Sequence, residues 1–185
     1  MRFFLFASFL IASPLIAGIY GGLLDEVSFV ISPEFFSKFR LAEYHYSSSD
    51  LPWQVAYTGF NNALLIGVLI GFPIALLTLF HKSLVKAVRY GVISYVIIIL
   101  CTISAGIIGY LSGKYLLTED VVKWQLPDSI TDKVTFLAIE TMNNFTYMGG
   151  TIGMLIAIYW QMKRKRSDDE KNLSSTNTNN NTINI

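Results

Sequence analysis

Charge is missing from four long stretches of this chain. Phe3–Leu24, Leu51–Phe80, Tyr90–Gly113 and Thr141–Met162 contain no Asp, Glu, Lys or Arg, and each is at least 22 residues long. Only 15% of the 185 residues are charged, against about a quarter in a soluble domain. Four such runs leave too little polar sequence to cover them, which argues against a soluble fold. Cysteine is nearly absent as well. Cys101 is alone, so no intramolecular disulfide can staple the loops; inside an apolar run it reads as a small packing residue. Histidine occurs twice, at His45 and His81. The net charge of +1 provides no field to recruit nucleic acid, and none is expected as a partner.

What is present is apolar sequence in lengths that match a bilayer, which takes about 20 residues of helix to cross. Backbone amides in lipid must be paired within the segment, so each run is expected to be a helix. The fold class read from the sequence is an all-α membrane protein, a four-helix bundle. Its spans are about 3–24, 52–80, 90–112 and 143–162, its outer loops 25–51 and 113–142, and its lipid bilayer the first partner. Met1-Arg2 before Phe3 suggests a secretory signal, but the apolar run continues to Leu24, longer than a signal core. An uncleaved anchor is expected.

Basic residues concentrate on the cytoplasmic side of membrane proteins. The link between the second and third spans holds Lys82, Lys86 and Arg89, and the fourth span ends in Lys163-Arg164-Lys165-Arg166. With Arg2 and Lys171 this side carries nine bases against three acids, whereas the other carries five bases and ten acids. Both termini are therefore expected inside. Residues 167–185 are rich in Asn, Ser and Thr and are expected to be a disordered cytoplasmic tail.

Small residues recur four apart in every span: Ser13, Ala17 and Gly21; Ala63, Gly67 and Gly71; Ala105, Gly109 and Gly113; Gly149 and Gly153. Helices in lipid associate largely through close backbone approach at such residues. Gly67, Gly71, Gly109, Gly149 and Gly153 are the expected packing positions. Pro14 and Pro73 are expected to kink their helices. Asn61, Asn62, Asn143 and Asn144 cluster toward the outer face, where paired amides are expected to join the helices. No span holds a mid-depth Asp, Glu, Lys, Arg or His, which counts against an ion-coupled pump.

In the first outer loop Val27-Ser28-Phe29-Val30-Ile31 has strand composition. Ser32-Pro33-Glu34 then reads as a helix start. Phe35, Phe36 and Phe39 share one face of that helix, which either covers the loops or offers a partner surface. A further helix is expected from about Asp128-Ser129 into the last span, with Val134, Leu137, Ala138 and Met142 on its apolar face.

Nothing assigns chemistry. Glu119-Asp120 and Asp128 with Asp132 lack calcium-loop spacing, His45 and His81 lie on opposite sides, and no hydrolase or phosphate-loop motif occurs. No catalytic, cofactor-binding or metal residues are assigned, and the protein is expected not to be an enzyme.

Two segments carry a resemblance. Val30-Ile31-Ser32-Pro33-Glu34-Phe35-Phe36-Ser37-Lys38-Phe39 follows the first span, and Asn144-Phe145-Thr146-Tyr147-Met148-Gly149-Gly150-Thr151-Ile152-Gly153 opens the last. The chain resembles an uncharacterised family of small bacterial four-span membrane proteins with an outer Ser-Pro-Glu-aromatic-Phe segment and a Tyr-x-Gly-Gly entry to the final span. The resemblance covers about a fifth of the chain and the order of spans. It implies a bacterial cytoplasmic (inner) membrane protein and supplies no functional residues. The function expected is a non-enzymatic partner or assembly component, joined to a membrane protein partner or to copies of itself. The alternative is a small transporter or channel subunit working as an oligomer.

Overall fold

A computed structural model describes residues 1–41, 51–81, 83–117 and 130–183, with side chains to Glu170. All secondary structure among the described residues is helical. The elements are α1 (Arg2–Ile31), α2 (Pro33–Phe35) running into a π-helical stretch Phe36–Arg40, α3 (Leu51–Leu79), α4 (Leu84–Tyr115) and α5 (Lys133–Ile183). Helices α1, α3 and α4 are long and apolar enough to cross a membrane. At 1.5 Å per residue, the 30 residues of α1 make about 45 Å of helix, longer than a hydrocarbon core of about 30 Å.

That surplus length corrects one expectation. Val27–Ile31 is not a strand but the last turns of α1. Gly18, Gly22, Asp25 and Ser28 are its buried residues here, a spacing of three and four that follows the helix and not strand alternation. Ser28 Oγ donates back to the Leu24 carbonyl at 2.8 Å. The chain then turns at Ser32 and Pro33 opens α2.

Packing is uneven. α1 lies along α3 and α4 lies along α5 far more extensively than either pair meets the other, so the molecule is two antiparallel hairpins. The first is sealed by Gly21 against Gly59 and Ala63, and by Gly67 and Gly71 against Ser13 and Pro14. Ser13 Oγ donates across this seam to the Gly67 carbonyl at 2.7 Å. The second is sealed by Gly113 against Ala138, Gly109 against Phe145, Gly149 against Ala105 and Gly153 against Ile98. Small residues let backbones approach there, which is how helices hold together in lipid.

Two pins join the hairpins. Toward one end Phe9 of α1 packs on Tyr95 of α4, ring centroids 5.6 Å apart, and the Tyr95 hydroxyl donates to the Phe9 carbonyl at 2.9 Å. Toward the other, Phe35 and Phe36 form a core with Val55 of α3 and Phe136 and Ile139 of α5. Glu34 reinforces this second pin. Its Oε2 accepts the backbone N–H of Thr131 at 2.9 Å and of Asp132 at 3.0 Å, while Oε1 pairs with Lys38. Asp132 Oδ1 in turn accepts the Thr135 N–H at 3.0 Å, capping α5. The helix is described from Lys133; the start expected near 128–129 lies outside the described residues.

Lys38, with the amides of Asp132 and Thr131, holds the Glu34 carboxyl down at about 2, from an ordinary 4.5. A folded-state value below the unfolded one means that the contribution is complete above about pH 4.5 and fades as pH falls toward 2. A carboxyl-detected NMR titration should place the Glu34 midpoint near 2. A midpoint at 4 or above would mean that the clip does not form.

At the opposite end the first turns of α4 dock on α5. Asp168 accepts from the Tyr90 hydroxyl at 3.0 Å and pairs with Lys86 at 2.8 Å. Residues 167–183 continue α5 as helix, where the Asn- and Ser-rich composition predicts disorder. Extending an existing helix avoids the cost of nucleating one.

Candidate functional site

Between the two pins the hairpins meet through Ile74, Ile98 and Ala157 and leave little space beside them. A narrow cleft of about 100 Å³ remains, bounded by Ser13, Ala17 and Tyr20 of α1, Ile66 and Ile70 of α3, Ile98 and Thr102 of α4, and Asn143 and Thr146 of α5. Its lining is mostly apolar, with Tyr20, Thr102 and Thr146 between two ends that differ. The Ser13 end is satisfied, because Ser13 bonds to Gly67. The other end is closed by Asp25, Arg40 and Asn143.

Asp25 is 3% exposed. Its Oδ1 accepts from Arg40 Nη1 at 2.9 Å, and the Arg40 guanidinium lies 5.7 Å over the Phe36 ring. The π-helical stretch that ends at Arg40 brings that residue back over the last turns of α1. Asp25 Oδ2 has no hydrogen-bond partner among the described residues. Across the cleft Asn143 is 9% exposed, and its Nδ2 is also unpartnered there. Both atoms are enclosed, one on each hairpin, with Asp25 Oδ2 lying close to Gly59 of α3. Leaving such groups unpaired costs about 1–3 kcal/mol each.

Of the three aromatics expected either to cover the loops or to offer a partner surface, two are covered and one is not. Phe35 and Phe36 are buried within the second pin, and Phe39 is 45% exposed with its ring 5.4 Å from Phe136. Only Phe39 remains available to a partner. The four asparagines also separate: Asn143 turns inward, whereas Asn61, Asn62 and Asn144 are exposed, so paired amides do not join the helices. Of the expected apolar face on α5, Leu137, Ala138 and Met142 are buried and Val134 is exposed. Gly67, Gly71, Gly109, Gly149 and Gly153 lie in the two hairpin seams. His45, Glu119, Asp120 and Asp128 lie outside the described residues.

The site's own residues escaped the sequence reading. A signal existed, since Asp25 continues the Ser13, Ala17, Gly21 stripe by one more step of four. A carboxylate on a helix-packing stripe is buried unless the helix ends first, and α1 does not end until Ile31. No family model matches the chain, and no curated protein or solved structure matches it.

Proposed function

We propose that this is a non-enzymatic, four-span protein of a bacterial cytoplasmic membrane that binds a membrane component between its two hairpins. The observation that carries this reading is the cleft between two separately sealed hairpins, with Asp25 Oδ2 and Asn143 Nδ2 unpaired among the described residues. Helix α5 is taken as the fourth crossing. It follows α4 from Gly113 against Ala138 to Gly153 against Ile98, and a helix that accompanies a spanning helix along its apolar length shares its depth. Charge places both termini in the cytoplasm and the Asp25 end of the cleft outside.

Filling the cleft tests the reading. A Cβ at Gly150 would stand 3.1 Å from Ile70 Cδ1 and 3.5 Å from Thr102 Oγ1, so Gly150→Leu projects into the space. Native mass spectrometry after mild extraction should find a stoichiometric small component on the wild type and lose it in Gly150→Leu. A wild type that carries nothing would overturn the proposal.

A second reading is association with a membrane protein partner or with copies of itself. Asn61 and Asn62 support it. Gly59 and Ala63 on either side of them both meet Gly21, which sets the two exposed amides within the depth of the α1 apolar run. Short amides facing lipid gain hydrogen bonds when another helix covers them. A small transporter or channel subunit would use the same cleft as a path, and solute flux in vesicles would reveal it.

A further inference from the structure

Helix α3 turns Gly59 and Gly67 toward α1. At about 100° per residue, its opposite side carries Asn62, Leu65, Leu69 and Phe72, all exposed. Their spacing of three, four and three is the a/d repeat by which helices pair along a seam. Depth makes Asn62 the unusual member. The 29 residues of α3 make about 43 Å of helix, so a hydrocarbon core of about 30 Å centred on it leaves about 7 Å beyond each edge. Leu51 to Asn62 is about 16 Å of helix, which sets Asn62 about 9 Å inside the core. An amide on so short a side chain cannot reach the headgroups from there. Thr151, exposed on α5, meets the same difficulty by donating back to the Tyr147 carbonyl at 3.1 Å. Asn62 makes no such bond among the described residues, and polar groups left unpaired in hydrocarbon are costly.

We propose that this seam of α3 pairs with the α3 seam of a second copy, about a two-fold axis along the membrane normal, with the two Asn62 amides bonded across it. The proposal rests on the association reading and names the partner. Symmetry selects the second copy. Copies inserted under one charge bias share one orientation, so equal residues lie at equal depth. Beside the axis each residue then meets its own counterpart. Such a position suits an amide, which both donates and accepts and so satisfies its twin. A carboxylate or an ammonium there would meet like charge. Asn at a single a position fixes register and pairing in two-stranded coils in this way. Asn61 borders the seam, and Leu65, Leu69 and Phe72 carry the contact toward the inner side.

The experiment uses the full chain in native membranes, in a Cys101→Ala background. Leu65→Cys and Leu69→Cys report on the seam, and Ile107→Cys is an exposed control on α4. Mild oxidation should link the two seam variants into disulfide dimers and leave Ile107→Cys monomeric. Sedimentation of the full chain in density-matched micelles then measures affinity. Asn62→Leu should raise the dimer dissociation constant about tenfold, whereas Asn62→Gln, which keeps donor and acceptor, should retain most of the affinity. Because Asn62 is exposed in the single chain, the unfolding midpoint of the dilute monomer should not change. Equal dissociation constants for wild type and Asn62→Leu, or linkage at Ile107→Cys as strong as at the seam, would overturn the proposal. A photocrosslinker at position 69 that captures a different membrane protein instead would overturn the second copy and keep the association reading. A chain that links to nothing and sediments as a monomer would overturn both.

Discussion

Arg40→Met should destabilise the fold by about 3–5 kcal/mol, the usual cost of leaving one member of a buried ion pair alone. Arg40 supplies the partner of Asp25 Oδ1, and Asp25 Oδ2 already has none among the described residues, so the substitution strips the carboxylate of its remaining compensation. The guanidinium also covers Phe36 at the pin between hairpins. Replacing both members, Arg40→Met with Asp25→Leu, should recover most of the loss, because two apolar side chains leave no orphaned charge. Unfolding in mixed micelles, followed by tryptophan fluorescence, measures all three proteins. A loss below about 1 kcal/mol for Arg40→Met would show a solvated pair and a wet end to the cleft.

Neighbouring glycines on α5 should respond in opposite ways. A Cβ at Gly149 would stand 2.5 Å from Ala105 Cβ and 2.7 Å from the Cys101 carbonyl oxygen, contacts that only movement of the helices can relieve. Gly149→Leu should therefore cost about 3 kcal/mol, the upper range for forcing extra atoms into a packed seam. Gly150→Ala meets only the flexible end of Ile70 and the Thr102 hydroxyl. It should range from neutral to about 1 kcal/mol stabilising, since Ala is the better helix former. The same unfolding assay gives both values. Equal effects at the two positions would mean that α4 and α5 do not meet along this face.

Much of the architecture was legible because lipid imposes simple rules. Charge-free runs mark helices, and three of the four appear as helices α1, α3 and α4 of membrane-crossing length and composition. Residues of the fourth, rich in Gly, Thr, Tyr and Asn, lie within α5 and are less apolar. What composition could not convey was where helices continue beyond the apolar runs. Val27 to Ile31 is β-branched and aromatic, yet the helix already formed by α1 propagates through it, and Ser28 packs inside. The aromatic segment was legible as a shared face, but not in what covers that face. Phe35 and Phe36 share a face with Phe39, but that face meets Phe136, a contact set by a residue a hundred positions away. The cleft was invisible for the same cause: Asp25, Arg40 and Asn143 come from three separate segments, and only the fold around α2 brings them together.

Cysteine accessibility in intact cells is the measurement that bears most directly on two hairpins crossing the membrane four times. In a Cys101→Ala background, single cysteines at Ser37, Ser83, Thr131 and Glu170 sample each connection and the C-terminal half of α5. All four native side chains are exposed. A membrane-impermeant maleimide should label positions 37 and 131 from outside and reach 83 and 170 only after the membrane is permeabilised. Labelling of 131 and 170 from the same side would place α5 on the membrane surface or beyond it, and the two-hairpin arrangement with its cleft would be wrong.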